Sequence, residues 1–109
     1  MKQAIIVETD GTARDIDIES DSLTALQSGV GGYVQAIDIS PRLTMWLNEE
    51  GKIEGLPHNI VAQVIFDNRF GPGLDKIVGN AVFTGGTDDE GDTLGLDTET
   101  ADFLKSMSV

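Results

Sequence analysis

The 109-residue sequence predicts a single α+β domain spanning residues 1–109, with about five mostly antiparallel strands packed on one main helix. Three observations lead to this prediction. Short β-branched runs are joined by turn sequences that suit antiparallel hairpins. Apolar residues recur at helical spacing from Ile60 to Phe70. No interior linker is long enough to divide the chain into two domains.

The first two strands are predicted on either side of Asp10-Gly11. Gln3 to Val7 is rich in β-branched residues, and residues 15–19 alternate acids with Ile16 and Ile18. An Asp-Gly pair between such runs favours a type I′ turn, in which both central residues have positive φ. We therefore expect a β-hairpin whose isoleucines face inward and whose acids face water.

A short helix near residues 22–28 should follow. Asp21 or Ser22 can cap its first turn, and we expect Gly29 to end it in the left-handed conformation. Alternation then predicts a strand at 33–39, and a run rich in large apolar residues predicts a second strand at 43–47. Pro41 ends the first of them, because it cannot donate to a sheet ladder.

The turn predicted at 48–51 places Gly51 in the left-handed position and returns the chain into a strand at 52–54. Pro57 precedes the main helix, with His58 or Asn59 as its cap.

The last strand is predicted from Lys76 to Phe83, with Gly79 as a bulge or close-packing point. A second short helix is expected near residues 98–105, capped by Thr98, with Phe103 or Leu104 turned inward.

Net charge is the most unusual bulk property: nineteen acids and seven bases give −12. This charge disfavours direct binding to nucleic acid or to an anionic membrane, because both require a basic surface. The absence of Cys excludes disulfides and thiol chemistry, and no apolar run approaches a signal sequence or a membrane span. We expect a cytoplasmic protein.

The acids concentrate toward the two ends of the chain. Thirteen of the nineteen lie in residues 1–22 or 88–109. If the ends meet in space, they form one acidic face that could bind a basic protein surface. The binding residues predicted for this face are Asp15, Asp17, Glu19, Asp88, Asp89, Glu90 and Asp92. A solvated surface that only keeps the protein soluble explains the charge equally well.

Several segments, taken in order, resemble a known family. They are Val30-Gly31-Gly32-Tyr33-Val34-Gln35-Ala36, Asn48-Glu49-Glu50-Gly51-Lys52, Gly55-Leu56-Pro57 with Asn59 and Ala62, Ile77-Val78-Gly79-Asn80-Ala81-Val82-Phe83, and Asp88-Asp89-Glu90-Gly91. Together they resemble the domain-of-unknown-function family 3846, small proteins of bacteriophages, mobile elements and actinobacteria. The likeness covers nearly the whole chain. It implies a phage or mobile-element origin and activity in the host cytoplasm, and it brings no assigned catalytic residue.

Two motifs suggest ligand chemistry but favour structural roles. The glycine-rich stretch 28–32 closes a helix and opens a strand, the reverse of a phosphate-binding loop, and no Lys-Ser or Lys-Thr follows. Asp88, Glu90, Asp92 and Glu99 fall at positions one, three, five and twelve of a calcium loop, but Thr93 replaces the glycine of position six. A solvated acidic turn is the better interpretation, and we predict no metal and no cofactor.

No paired nucleophile and base is visible, so we do not expect an enzyme. The function most favoured is binding, without catalysis, to a host protein with a basic surface, in a counter-defence or DNA-mimic role. The alternative is a protein that sequesters a small ligand, such as a nucleotide signal, in a pocket near residues 29–59. The residues predicted for that pocket are Tyr33, Arg42, Trp46, His58 and Asn59.

Overall fold

The computed structural model describes residues 2–107 and contains one five-stranded antiparallel sheet in that range. In chain order the elements are β1 (Gln3–Val7), β2 (Ala13–Asp17), α1 (Ser22–Val30), β3 (Val34–Ser40), β4 (Leu43–Asn48), α2 (Ile60–Phe70), β5 (Ala81–Thr84) and α3 (Thr98–Ser106). The strands lie in the order β2-β1-β5-β4-β3, so β2 and β3 form the two edges. The predicted α+β class, its antiparallel sheet and both short helices are confirmed.

Helices cover both faces of the sheet, and β1 shows why its run of apolar residues is continuous. Ile5 and Val7 pack in the cluster shared with α2 and α3, while Ala4 and Ile6 pack in the cluster shared with α1. Successive strand residues point to opposite faces, so a strand covered on both sides needs apolar groups at every position. No helix within residues 2–107 is long and apolar enough to cross a bilayer.

The first hairpin is confirmed, but its turn is not type I′. The N–H of Glu8 donates to Thr12 O at 2.8 Å, and that of Gly11 donates to Glu8 O at 2.9 Å. Gly11 has φ +91°, and no non-glycine residue in the described part of the chain has a positive φ. The loop is therefore a type I turn followed by one left-handed glycine. Ile18 is buried and Asp15 and Asp17 are exposed, as predicted.

Helix α1 continues through Gly29, contrary to the prediction. Asp21 caps its start by accepting the Thr24 N–H at 3.1 Å, and Gly31, with φ +79°, is the left-handed residue that ends it. Gly29 serves close packing instead, because a Cβ there would lie 2.8 Å from Cγ2 of the buried Val82. The prediction of Gly29 as the end of the helix was wrong.

The chain does not return as a strand after β4. Residues 49–55 form consecutive turns, and the left-handed glycine is Gly55, with φ +69°, rather than Gly51. Gly51 is buried, and a Cβ there would lie 3.1 Å from Cγ2 of Val78. Packing against the 76–80 segment therefore replaces the predicted hairpin.

Asn59 caps α2, and its side chain forms hydrogen bonds that join three segments of the chain. Its Oδ1 accepts the Ala62 N–H at 3.0 Å, while its Nδ2 donates to Val7 O at 3.0 Å and to Gly79 O at 2.9 Å. The side chain is completely buried. One of the two predicted caps is thereby confirmed, with a wider role than capping.

The last strand and the last helix begin at different residues from those predicted. β5 starts at Ala81, because the left-handed Gly79 interrupts the strand and residues 76–80 form only the single bridge His58–Val78. Asp97, not Thr98, caps α3 by accepting the Thr100 N–H at 2.7 Å. Of the two inward candidates, Leu104 is buried and Phe103 is exposed.

Candidate functional site

Asp17, at the end of β2, and the segment that leads into α3 lie at the same end of the sheet. Gln3 pairs with Asp17 on one side, and on the other its carbonyl oxygen accepts the Leu96 N–H at 2.8 Å. The backbones of Asp17 and Leu96 are thus about two strand spacings apart, ~10 Å. We call this region the acidic end and define it by Asp17, Glu19, Asp88, Asp89, Glu90 and Asp92.

The acidic end is built around a second hairpin, residues 85–94, that leaves the sheet after β5. The N–H of Gly85 donates to Leu94 O at 2.9 Å, and that of Leu94 donates to Gly86 O at 2.8 Å. Thr87 and Thr93 form a bridge further out. The sequence interpretation placed only a solvated turn here.

Two glycines at the base of this hairpin allow it to pack closely on the sheet. Gly86 is buried against the turn between β3 and β4, and a Cβ at this position would overlap the carbonyl oxygen of Pro41. A Cβ at Gly85 would overlap the carbonyl oxygen of Gly95 in the same way. The hairpin therefore has a fixed attachment at its base.

The tip of the hairpin repeats the turn of the first hairpin. The N–H of Asp88 donates to Asp92 O at 2.9 Å, that of Gly91 donates to Asp88 O at 3.0 Å, and Gly91 has φ +84°. The Oδ1 of Asp88 also accepts the N–H groups of Glu90 and Asp92, both at 2.9 Å. One carboxylate thus organises the turn.

The other three acids of the tip point to solvent. Asp89, Glu90 and Asp92 are exposed, and their carboxylates make no hydrogen bond or ion pair with residues 2–107. A turn held by its backbone therefore presents three carboxylates that the fold itself does not use.

The acids of β2 are used differently. Asp15 accepts from Gln3 Nε2 at 2.6 Å and pairs with Lys105 Nζ at 3.0 Å, so it faces α3 and lies outside the acidic end. Asp17 accepts the N–H groups of Lys2 at 3.1 Å and Glu19 at 3.0 Å. Of the acids predicted for the face, Asp15, Asp17 and Asp88 therefore hold the fold, whereas the carboxylates of Asp89, Glu90 and Asp92 make no hydrogen bond or ion pair within residues 2–107.

Five aspartates have a pKa held below the ordinary value of 3.8, and in each case hydrogen bonding to the carboxylate is the main cause. Backbone N–H groups are the strongest donors at the helix caps Asp21 and Asp97. The set is Asp10, Asp15, Asp17, Asp21 and Asp97.

These shifts predict a loss of stability in acid. A lowered pKa in the folded state means that the unfolded chain binds more protons as the pH falls below 3.8. The stabilisation is therefore complete above that pH and is lost as the pH falls through the folded-state pKa values. Urea unfolding at a series of pH values should show this decline. The Asp97→Asn variant keeps a capping oxygen that does not titrate, so its decline should be shallower. Stability that is constant below pH 3.8 would contradict the assignment.

The five residues of the predicted small-ligand pocket do not line one cavity. His58 lies beside Gln63, 3.0 Å between Nε2 and Oε1, in a depression on α2. Trp46 is half-buried, and its Nε1 donates to Thr84 Oγ1 at 2.9 Å. Arg42 lies in the turn between β3 and β4, and Asn59 is buried with its amide fully engaged.

Tyr33 does line a cleft, of about 350 Å³, whose other residues the sequence interpretation did not select. Glu50 and Glu54 line this cleft together with the exposed Tyr33, and so does the buried Asn48. Its Oδ1 accepts the Glu50 N–H at 2.8 Å. An aromatic ring beside two carboxylates suits a cationic group. The full lining is Gln27, Gly32, Tyr33, Asn48, Glu50 and Glu54.

The described residues contain no group of three or more His, Asp or Glu side chains arranged to hold a metal ion. In the calcium-loop pattern, Asp88 binds backbone N–H groups and Glu99 lies in the first turn of α3. The spacing in the sequence does not bring these carboxylates together.

Comparison with known proteins gives one kind of match. A family described as Domain of unknown function (DUF3846) matches residues 1–108. The resemblance read from the sequence is confirmed at the level of the family. No curated protein and no solved structure matches the chain.

Proposed function

From the premise that the chain belongs to the DUF3846 family, we propose that it acts without catalysis, by presenting its acidic end to a basic surface of a partner protein. In this proposal the chain comes from a phage or mobile element, and the partner is a host factor in the cytoplasm. A counter-defence role, in which the carboxylates occupy a surface that otherwise binds DNA phosphates, fits this chemistry.

The observation that carries the proposal is the tip of the 85–94 hairpin. Asp89, Glu90 and Asp92 expose carboxylates that the described residues leave without partners, on a turn whose backbone is already hydrogen-bonded. A preformed turn reduces the entropy that binding must remove. Its charge accelerates encounter with a basic surface, and salt screens that attraction.

A charge-matched pair of variants tests the proposal. Asp89→Asn with Glu90→Gln removes two charges from the tip, while Glu8→Gln with Asp10→Asn removes two from the turn of the same geometry at the opposite end of the sheet. Capture from host lysate at low salt should retain a basic protein on the wild-type chain. We expect recovery to fall about tenfold for the tip variant and to change little for the control.

Two results would count against the proposal. One is equal recovery of the captured protein by both double variants. The other is capture that survives high salt unchanged, because contacts at exposed carboxylates weaken with ionic strength.

The alternative function, sequestering a small ligand, is supported only by the Tyr33 cleft. Glu50 and Glu54 line that cleft and repel an anionic nucleotide. The cleft therefore favours a cationic ligand over the nucleotide signal considered from the sequence.

A further inference from the structure

β3 is an edge strand whose outer side is open over most of its length. The N–H of Glu49 donates to Tyr33 O at 2.8 Å, which fixes residues 33, 35 and 37 as the ones that exchange hydrogen bonds with β4. Val34, Ala36 and Asp38 therefore direct their backbone N–H and C=O groups away from the sheet. No hydrogen bond from residues 2–107 reaches these outward groups.

The opposite edge is protected by charge, and β3 is not. β2 has five residues, three of them charged, and ion pairs join Arg14 to Glu8 and Asp15 to Lys105. β3 has seven residues, rich in β-branched side chains, and Asp38 is its one charged residue. Charges on an edge strand oppose the addition of another strand. The open edge ends at Asp38, because Arg69 Nε donates to Ile39 O at 2.9 Å.

We propose that the open edge of β3, Val34 to Asp38, binds an extended basic segment of the partner protein as a sixth antiparallel or parallel strand. The inference deepens the proposed function, on which it rests, by naming a second contact surface of the same partner. Strand addition supplies backbone hydrogen bonds for affinity and side-chain contacts for selectivity.

The charge around the open edge favours a basic segment as the added strand. Acidic residues lie near both ends of the edge. Glu49, Glu50 and Glu54 lie near its start, and the 85–94 hairpin, with its acidic tip, packs against Pro41 beyond its end. A second copy would bring another net charge of −12 to this edge. A strand carrying Lys or Arg is attracted by the same groups that repel a second copy.

The Tyr33 cleft receives one side chain of the added strand. Tyr33 is 68% exposed and directly precedes Val34, the first outward-directed residue of the edge. A Lys or Arg near the end of the added strand reaches the ring of Tyr33 and the carboxylates of Glu50 and Glu54. The cleft thus favours an added strand that carries a Lys or Arg at this position.

The test uses peptides of alternating Lys and Val, and of alternating Glu and Val, with the 109-residue chain. Hydrogen exchange by NMR should show new protection of the Val34, Ala36 and Asp38 amides with the Lys-Val peptide and none with the Glu-Val peptide. In the Ala36→Pro variant, a proline replaces an N–H that points away from β4, so the sheet ladder is kept. We expect Lys-Val binding to weaken about tenfold in Ala36→Pro and to persist in Ala36→Val, which retains the N–H.

Three results would overturn the inference. They are equal Lys-Val binding by Ala36→Pro and Ala36→Val when both melt as folded proteins, protection that appears elsewhere or not at all, and a doubled solution mass that Ala36→Pro abolishes. The last result would identify a second copy as the occupant.

The same variants separate this inference from the proposed function. If Asp89→Asn with Glu90→Gln impairs capture of the partner and Ala36→Pro does not, the acidic end acts without the edge. If only Ala36→Pro impairs capture, the edge acts and the acidic end does not.

Discussion

Replacing Asn59 with alanine should lower the free energy of unfolding by about 3 kcal/mol. The lost helix cap accounts for about 1 kcal/mol. The remainder comes from the buried carbonyl groups of Val7 and Gly79, which lose their donor, at about 1–3 kcal/mol for a group left unsatisfied. The side chain is 0% exposed, so water cannot replace it without the structure opening. Urea unfolding at neutral pH measures the change, since urea does not screen charge as guanidinium does.

The Asn59→Asp variant separates the two contributions. It keeps the oxygen that accepts the Ala62 N–H but loses the donor to Val7 and Gly79, and it adds a buried charge beside their oxygens. We expect it to be less stable than Asn59→Ala at neutral pH and to recover partly on acidification. Asn68→Ala, on the exposed side of α2, is the control and should change stability by less than about 0.5 kcal/mol. If Asn59→Ala changed the free energy of unfolding as little as Asn68→Ala, the role of Asn59 in joining the three segments would be wrong.

Replacing Gly86 with alanine should lower the free energy of unfolding by about 3 kcal/mol and loosen the 85–94 hairpin from the sheet. The added Cβ overlaps the Pro41 carbonyl oxygen and lies 3.1 Å from its carbonyl carbon. These are backbone atoms of a tight turn, so relief requires a shift of the hairpin or of the turn between β3 and β4. Urea unfolding gives the loss of stability, and the NMR shifts of Arg42 report the displacement.

Gly91→Ala is the matched control in the same hairpin. Gly91 has φ +84° and open space around it, so a methyl group there costs only the left-handed strain, about 1 kcal/mol. The difference between the stability losses of Gly86→Ala and Gly91→Ala therefore measures the cost of the close contact at Gly86. Equal losses of stability in the two variants would contradict a hairpin seated by close contact at its base.

Local sequence signals predicted the elements whose geometry is fixed by neighbouring residues. The Asp10-Gly11 pair gave the first hairpin, and Asn59 was one of two candidate caps for α2. A glycine at the fourth position of a polar five-residue segment is shared by 8–12 and 88–92. That signal could have predicted the second hairpin as well, although it was interpreted only as a solvated turn.

Other features depend on residues that are distant in the chain. Gly29 is required inside α1 because Val82 of the sheet packs directly against it, and β5 begins only at Ala81 because the left-handed Gly79 interrupts the strand. The Tyr33 cleft is completed by Glu54, and the open edge of β3 is set by the strand order. No local pattern contains that information.

The salt dependence of the association rate tests most directly the proposal that a preformed acidic hairpin, residues 85–94, steers this chain to a basic partner. With the captured partner in hand, association rates of the wild-type chain should fall steeply as salt is raised. The Asp89→Asn, Glu90→Gln double variant should start slower and fall less, while the Glu8→Gln, Asp10→Asn control should follow the wild type. Rates that are independent of salt, or reduced equally in both double variants, would contradict the account.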